Sequence, residues 1–236
     1  MRPFGDPLVG LAGQLVVLLA LVGAGLGPVG WLAGFGYGAG VTVLLVRALV
    51  RSGGRRLGPA DKVTLARSTL VGGVLALVVS DIASPGSASP ASVVVLVTLA
   101  SAALILDGVD GRVARRTGTV SALGARFDME VDSMLILILS VHAVWSVGWW
   151  VLIIGAARFL FLAAGLIVPW MRGDLPFRYW AKVVAVVQGV VLTVVAAGIL
   201  PRPVETVLCL AAAALLAESF GRSVWWLAAH RKVTDS

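Results

Sequence analysis

Eight stretches of this chain are apolar over the length that a lipid bilayer demands. A helix crossing a hydrocarbon core of about 30 Å needs about 20 mainly apolar residues. Runs of that kind occupy approximately 8–27, 29–50, 63–80, 91–109, 122–142, 146–170, 183–200 and 204–229. Backbone groups in lipid have no water to bond, so such runs must be helices that satisfy their own N–H and C=O groups. The expected fold is therefore all-α, a polytopic transmembrane helix bundle of about eight spans. The composition agrees: 59% of residues are hydrophobic, only 13% are charged, and the mean hydropathy is +0.99. Arg2 ahead of the first run could suggest a secretion signal, but the run is long and a second follows at once, so both are read as retained helices.

The formal charge of +7 does not point to nucleic acid, because the cations sit between apolar runs rather than among aromatics on a polar surface. They fall on alternate connections instead: Arg51, Arg55, Arg56 and Lys62; Arg112, Arg115, Arg116 and Arg126; Arg172, Arg178 and Lys182; Arg231 and Lys232. The intervening connections carry only Arg202. Cytoplasmic loops are the basic ones, so both termini are expected in the cytoplasm of a multi-pass cell-membrane protein. Trp145, Trp149 and Trp150 then fall at the outer interface, where aromatic side chains gather. The basic segment 51–62 is the expected boundary between two accessory N-terminal helices in 1–50 and a six-helix core in 63–236. Gly34 and Gly38, like Gly36 and Gly40, are four apart and would admit close helix packing. The single Cys209 lies in an apolar run and is read as a packing residue.

Against this background the segment DGVDGRVARRTGTVSALGARFDMEVD, 107–132, is anomalous. One carboxylate at the centre of a membrane helix costs roughly 2.5–3.5 kcal/mol, and Asp107, Asp110, Asp128 and Asp132 would also repel one another. If the fourth helix continues through 107–115, Asp107, Asp110, Gly111, Ala114 and Arg115 share a face; if the fifth opens near 124, so do Gly124, Asp128 and Asp132. The two stripes can then converge. Oxygen ligands without His or Cys suit a hard cation such as Mg²⁺ or Mn²⁺, and Arg115 could balance a bound diphosphate.

The segment resembles, position for position, the DxxDGxxARx8GxxxDxxxD signature of the CDP-alcohol phosphatidyltransferase family. Thr64 and Arg67 in TLAR resemble a TxxR at the start of that family's first core helix, with Asp61 where Asn is common. The resemblance implies a phosphotransferase of phospholipid synthesis, in which an alcohol attacks a CDP-linked lipid, usually CDP-diacylglycerol, and CMP leaves. It further implies two divalent ions, Mg²⁺ or Mn²⁺, held by Asp107, Asp110, Asp128 and Asp132, with Asp132 as the base. Gly111, Ala114, Arg115, Gly124, Thr64 and Arg67 would line the nucleotide pocket. Relatives of this kind are commonly homodimers.

The acceptor is either a plain alcohol or a polyol phosphate. The second would need an anion site, for which Arg158 within the sixth run, Arg178 and Lys182 are the candidates; Lys182 and Gln188 resemble part of a GKxKTxxQ pattern whose other positions are apolar here. Arg158 stands out because intramembrane charge is functional by default. Glu218 and Arg222, four apart, read as an ion pair that eases insertion. Two other classes compete with the enzyme: a divalent-cation transporter, which accounts for the aspartates but not for Arg115 and the glycine spacing, and a non-catalytic lipid-binding membrane protein. The topology has a direct check. A cysteine placed at Thr119 is expected to resist an impermeant thiol reagent in intact cells and to react once the membrane is opened; ready labelling of intact cells would reverse the orientation.

Overall fold

The computed structural model describes residues 5–51, 57–86, 89–117, 121–168 and 179–230, the side chains of 110, 112–117, 122, 179 and 230 excepted. The described residues form eight α-helices and no strand: α1 (Gly5–Leu21), α2 (Pro28–Arg51), α3 (Pro59–Ala83), α4 (Pro90–Thr117), α5 (Ala122–Val147), α6 (Leu152–Ile167), α7 (Tyr179–Ala196) and α8 (Arg202–His230). Three of them open on proline, whose fixed φ and missing N–H suit the first helical turn. Seven spans have the length and apolarity to cross a membrane. The eighth expected span corresponds to α7, whose apolar stretch Trp180–Ala196 is shorter. The sixth span begins with a 3₁₀ turn at Trp149–Val151 rather than with continuous helix from 146. Gly148, at φ 107°, makes that break in a conformation other residues rarely adopt.

The chain divides into two compact units within α5, one ending at Ile138 and the other beginning at Leu139. In the first unit α3 is the central helix, packed by α1, α2 and α4. It is buried on most of its circumference, as the inner member of a membrane bundle must be. Of the two glycine pairs on α2, only one is used for packing. Gly34 and Gly38 are buried along with Gly30, while Gly36 and Gly40 face open space. A Cβ at Gly34 would lie 2.6 Å from Leu18 and 3.0 Å from the Ala76 Cβ; one at Gly38 would lie 2.7 Å from Gln14 Cγ. The absence of side chains on this stripe therefore lets α1, α2 and α3 touch. Gln14 is fully buried there, with its amide against Gly72 of α3. At the far end the Gly27 N–H donates to Ser80 Oγ at 3.0 Å, so α3 caps the entry to α2.

In the second unit α7 and α6 each pack on α8. Phe161 and Phe220 meet edge to face with centroids 5.4 Å apart. Glu218 pairs with Arg222 as the sequence predicts, and it also accepts from Trp180 Nε1 at 2.8 Å, tying α7 to α8. Cys209 is fully buried on α8, and Trp145 and Trp149 are exposed, as an interfacial belt requires.

The glycine stripe yields an asymmetric expectation. A Cβ at Gly30 would fall on the Ser80 hydroxyl and the Ala76 carbonyl oxygen, and a main-chain oxygen cannot rotate away. Gly30→Ala should cost about 1–3 kcal/mol of stability through overpacking. Gly36→Ala, with nothing within 4 Å of the added methyl, should be neutral or gain up to about 1 kcal/mol from helix propensity. Thermal unfolding of the two variants in one detergent checks the contrast; equal shifts in Tm would mean that α2 does not rely on contact at Gly30.

Candidate active site

Helix α4 runs on past its apolar stretch to Thr117, carrying Asp107 and Asp110 on continuous helix, and α5 opens at Ala122, two residues before Gly124. Both conditions for convergence of the carboxylates are therefore met. Asp107 of α4 and Asp128 and Asp132 of α5 each offer a carboxylate oxygen within 4.8 Å of the others. A cation from a third helix holds them together. Arg67 of α3 donates from Nη1 to Asp107 Oδ1 at 2.7 Å and to Asp132 Oδ1 at 2.6 Å. Its Nη2 donates to Asp128 Oδ1 and, at 3.3 Å, to the Asp128 main-chain oxygen. The planar guanidinium makes this possible, because its fork of donors can serve several carboxylates where a lysine would offer one point charge.

Burial gives the cluster a direction. The Arg67 and Asp107 side chains are 1% and 8% exposed, whereas those of Asp128 and Asp132 are 30% and 32% exposed. The cluster is therefore open to solvent on its α5 side. Three carboxylates and one guanidinium leave a formal charge of −2 at the cluster, and all donors that could face an ion are oxygens. That set fits a divalent hard cation.

The surrounding residues position the cluster. Asp61 is buried and accepts from the Gly58 N–H at 2.9 Å, closing the first turn of α3. A Cβ at Gly124 would overlap the Asp61 carboxylate, so the glycine lets α5 begin hard against α3. Thr64, one turn before Arg67, is buried and donates to the Ala60 carbonyl at 3.2 Å. Gly111 lies half-buried on α4. The side chains of Asp110, Ala114 and Arg115 lie outside the described set, although their backbone belongs to α4. Arg158 is half-buried on α6 and Lys182 is exposed on α7, both in the second unit; Arg178 and Thr119 lie outside the described residues.

Two features were not apparent from the sequence. Arg67, expected to line the nucleotide pocket, also pairs with three of the carboxylates. Asp61, noted only as a departure from a common Asn, pins the starts of two helices. The signal for Arg67 was present in that a lone arginine within an apolar run must find carboxylates.

A bundle of membrane-length helices that gathers carboxylates from two of them around a buried arginine defines an integral membrane protein with a cluster of three aspartates that could hold a metal ion. The sequence profile of the CDP-alcohol phosphatidyltransferases matches residues 57–225, and the chain belongs to that family. The family is generally dependent on divalent cations. Curated relatives include the CDP-diacylglycerol–serine O-phosphatidyltransferases of Mycobacterium bovis and Mycobacterium tuberculosis, each 42% identical over 65 residues. That alignment covers 25% of this chain and 23% of each relative. No solved structure matches the chain.

Removing Arg67 should leave three carboxylates facing one another. Breaking a buried ion pair costs about 3–5 kcal/mol, and the partial exposure of Asp128 and Asp132 places Arg67→Ala at the lower end. Millimolar Mg²⁺ should return more of the lost Tm to this variant than it adds to the native protein, since a divalent ion can replace the missing charge. A Tm for Arg67→Ala unchanged from native, with or without Mg²⁺, would remove Arg67 from its central place.

Proposed function

We propose that this protein transfers a phosphatidyl group from CDP-diacylglycerol to an alcohol and releases CMP. Convergence of the signature carboxylates Asp107, Asp128 and Asp132 on one open-sided cluster is the observation that carries this reading. Asp107, Asp110, Asp128 and Asp132 would hold Mg²⁺ or Mn²⁺, two ions by analogy with the family, and these would supply charge neutralisation of the diphosphate and the departing CMP. Arg67 fixes Asp107, Asp128 and Asp132 in register before any ligand arrives. Asp132, on the exposed side, accepts the acceptor's hydroxyl proton. The acceptor oxygen bonds to the lipid-side phosphorus, the bridging P–O bond breaks, and its electron pair leaves with CMP. Thr64, Gly111, Ala114, Arg115 and Gly124 form the wall along which the nucleotide lies. The site opens on the cytoplasmic side of the cell membrane, and the protein works as a homodimer.

Two observations bear on the acceptor. The short likeness to serine transferases favours a small alcohol such as serine; the half-buried Arg158 of α6, together with Lys182 and Arg178, would serve a polyol phosphate. Purified protein given CDP-diacylglycerol, Mg²⁺ or Mn²⁺ and a panel of both classes should release CMP with one of them. Preference for serine would withdraw the acceptor role from Arg158. Ion flux without CMP release would identify a transporter instead, and lipid binding without either would identify a non-catalytic protein.

The base assignment predicts a division of labour. Asp132→Asn, nearly isosteric, should lower kcat by about 10²- to 10⁴-fold while donor binding persists. Asp107→Asn should weaken metal affinity and recover part of its activity at high metal. Near-normal kcat for Asp132→Asn would mean that another group takes the proton.

A further inference from the structure

Beside the carboxylate cluster, α2 and α5 enclose a groove of about 710 Å³. Its walls are apolar, built from Gly40, Val41 and Leu44 of α2 and from Phe127, Val131 and Met134 of α5. Leu45 also lines it, and its lining residues Val41, Leu123 and Phe127 pack against the buried cluster of Leu45, Leu49, Leu57 and Leu65. Along α2 it runs from Arg51 to Tyr37, 14 residues or about 21 Å at 1.5 Å per residue. That is roughly two-thirds of the hydrocarbon thickness of a bilayer, a depth that suits a hydrocarbon tail and not a headgroup. The charged residues of its lining are Arg51, the last residue of α2, and Arg126 and Glu130 of α5, one positive charge in excess.

The groove shares α5 with the site: its lining residues Phe127 and Val131 each immediately precede one of the carboxylates, Asp128 and Asp132, and Arg126 lies two residues before Asp128. One wall comes from outside the family's matched region, since α2 ends at Arg51 and the match begins at residue 57. Resting on the function proposed above, we infer that this groove receives one acyl chain of the CDP-linked donor, with Arg51 and Arg126 facing its phosphate-bearing end. The accessory helix α2 is then a determinant of donor chain length. The occupant is argued from two features together: an apolar slot of acyl length, and an excess of one positive charge, from Arg51 and Arg126 against Glu130, in a lining that shares α5 with the carboxylate cluster.

Gly40 makes the proposal testable without disturbing the fold, because a Cβ there meets nothing within 4 Å. Gly40→Phe should fill the slot from its wall; Leu32→Phe, at an exposed position on α2 away from the groove, is the control. With a long-chain CDP-lipid, Gly40→Phe should raise the donor KM about tenfold or more, the effect of displacing a few methylenes. With a dihexanoyl donor its KM should stay within about twofold of native, and Leu32→Phe should match native with both. A second readout needs no turnover. CDP-diacylglycerol bearing a diazirine at one acyl terminus, in nanodiscs of the full chain, should label groove residues of α2 or α5 more strongly than a phosphatidylcholine probe of the same chain, and Gly40→Phe should abolish the difference. Equal labelling by the two probes would make the groove a bulk-lipid site and overturn the proposal, as would equal KM effects on long and short donors. Failure of native protein to release CMP would instead sink the function proposed above, with the labelling still deciding what the groove holds.

Discussion

The meeting of one guanidinium with three carboxylates is the interaction on which the first unit depends. An arginine 1% exposed and three aspartates in membrane-length helices are each unfavourable alone, since ionic groups removed from water need partners and good geometry. Together they fix how three helices must stand: α3 must present Arg67 to both α4 and α5, at a level set by Asp107 and within the turn that separates Asp128 from Asp132. The geometry is over-determined, because the same two donor nitrogens serve all three carboxylates. A small slip of α3 or α5 along its axis would break more than one bond. Such a cluster is weak evidence of net stability but a strong specifier of register.

Much of this was legible because membrane helices announce themselves by length and apolarity. The number of runs, the extension of α4 through Asp107 and Asp110, the opening of α5 before Gly124 and the Glu218–Arg222 pair all follow from local rules. The parts that were not legible are those decided by distant residues. Arg67 is 40 residues from Asp107 and 65 from Asp132, and no periodicity links them. Which of two equivalent glycine pairs on α2 packs was likewise undetermined until Ala76 and Gln14 were placed against one of them. A connection between the fifth and sixth spans was expected from Trp145, Trp149 and Trp150, but the break at Gly148 itself was not, since its neighbours are apolar and only the positive φ marks the turn.

The basic segment after α2 reads as a boundary in charge and composition, yet the first compact unit runs from residue 1 through Ile138. Different forces set the two limits. Charge marks where a chain leaves the membrane; van der Waals contact decides what packs within it, because lipid tails give apolar helices no hydrophobic reason to associate. Gly30, Gly34 and Gly38 bring the α2 backbone close to α3, and Ser80 satisfies the Gly27 N–H that precedes the helix. Close backbone approach is the currency of association in lipid, and α2 supplies it despite lying outside the matched family region.

Helix α3 joins the carboxylate cluster to the N-terminal helices. Near its start it carries Asp61, Thr64 and Arg67 toward the starts of α4's polar extension and α5; farther along it carries Gly72, Ala76 and Ser80 toward α1 and α2. A helix used on both sides cannot be amphipathic, which is why it is buried nearly all round. The consequence is mechanical. Arg67 can hold the carboxylates in register only as firmly as α3 is itself held, and α3 is held from behind by the accessory hairpin through contacts with no spare volume. Interiors packed to that density transmit displacement rather than absorb it, so helices that contribute none of the signature carboxylates still bear on where those carboxylates stand.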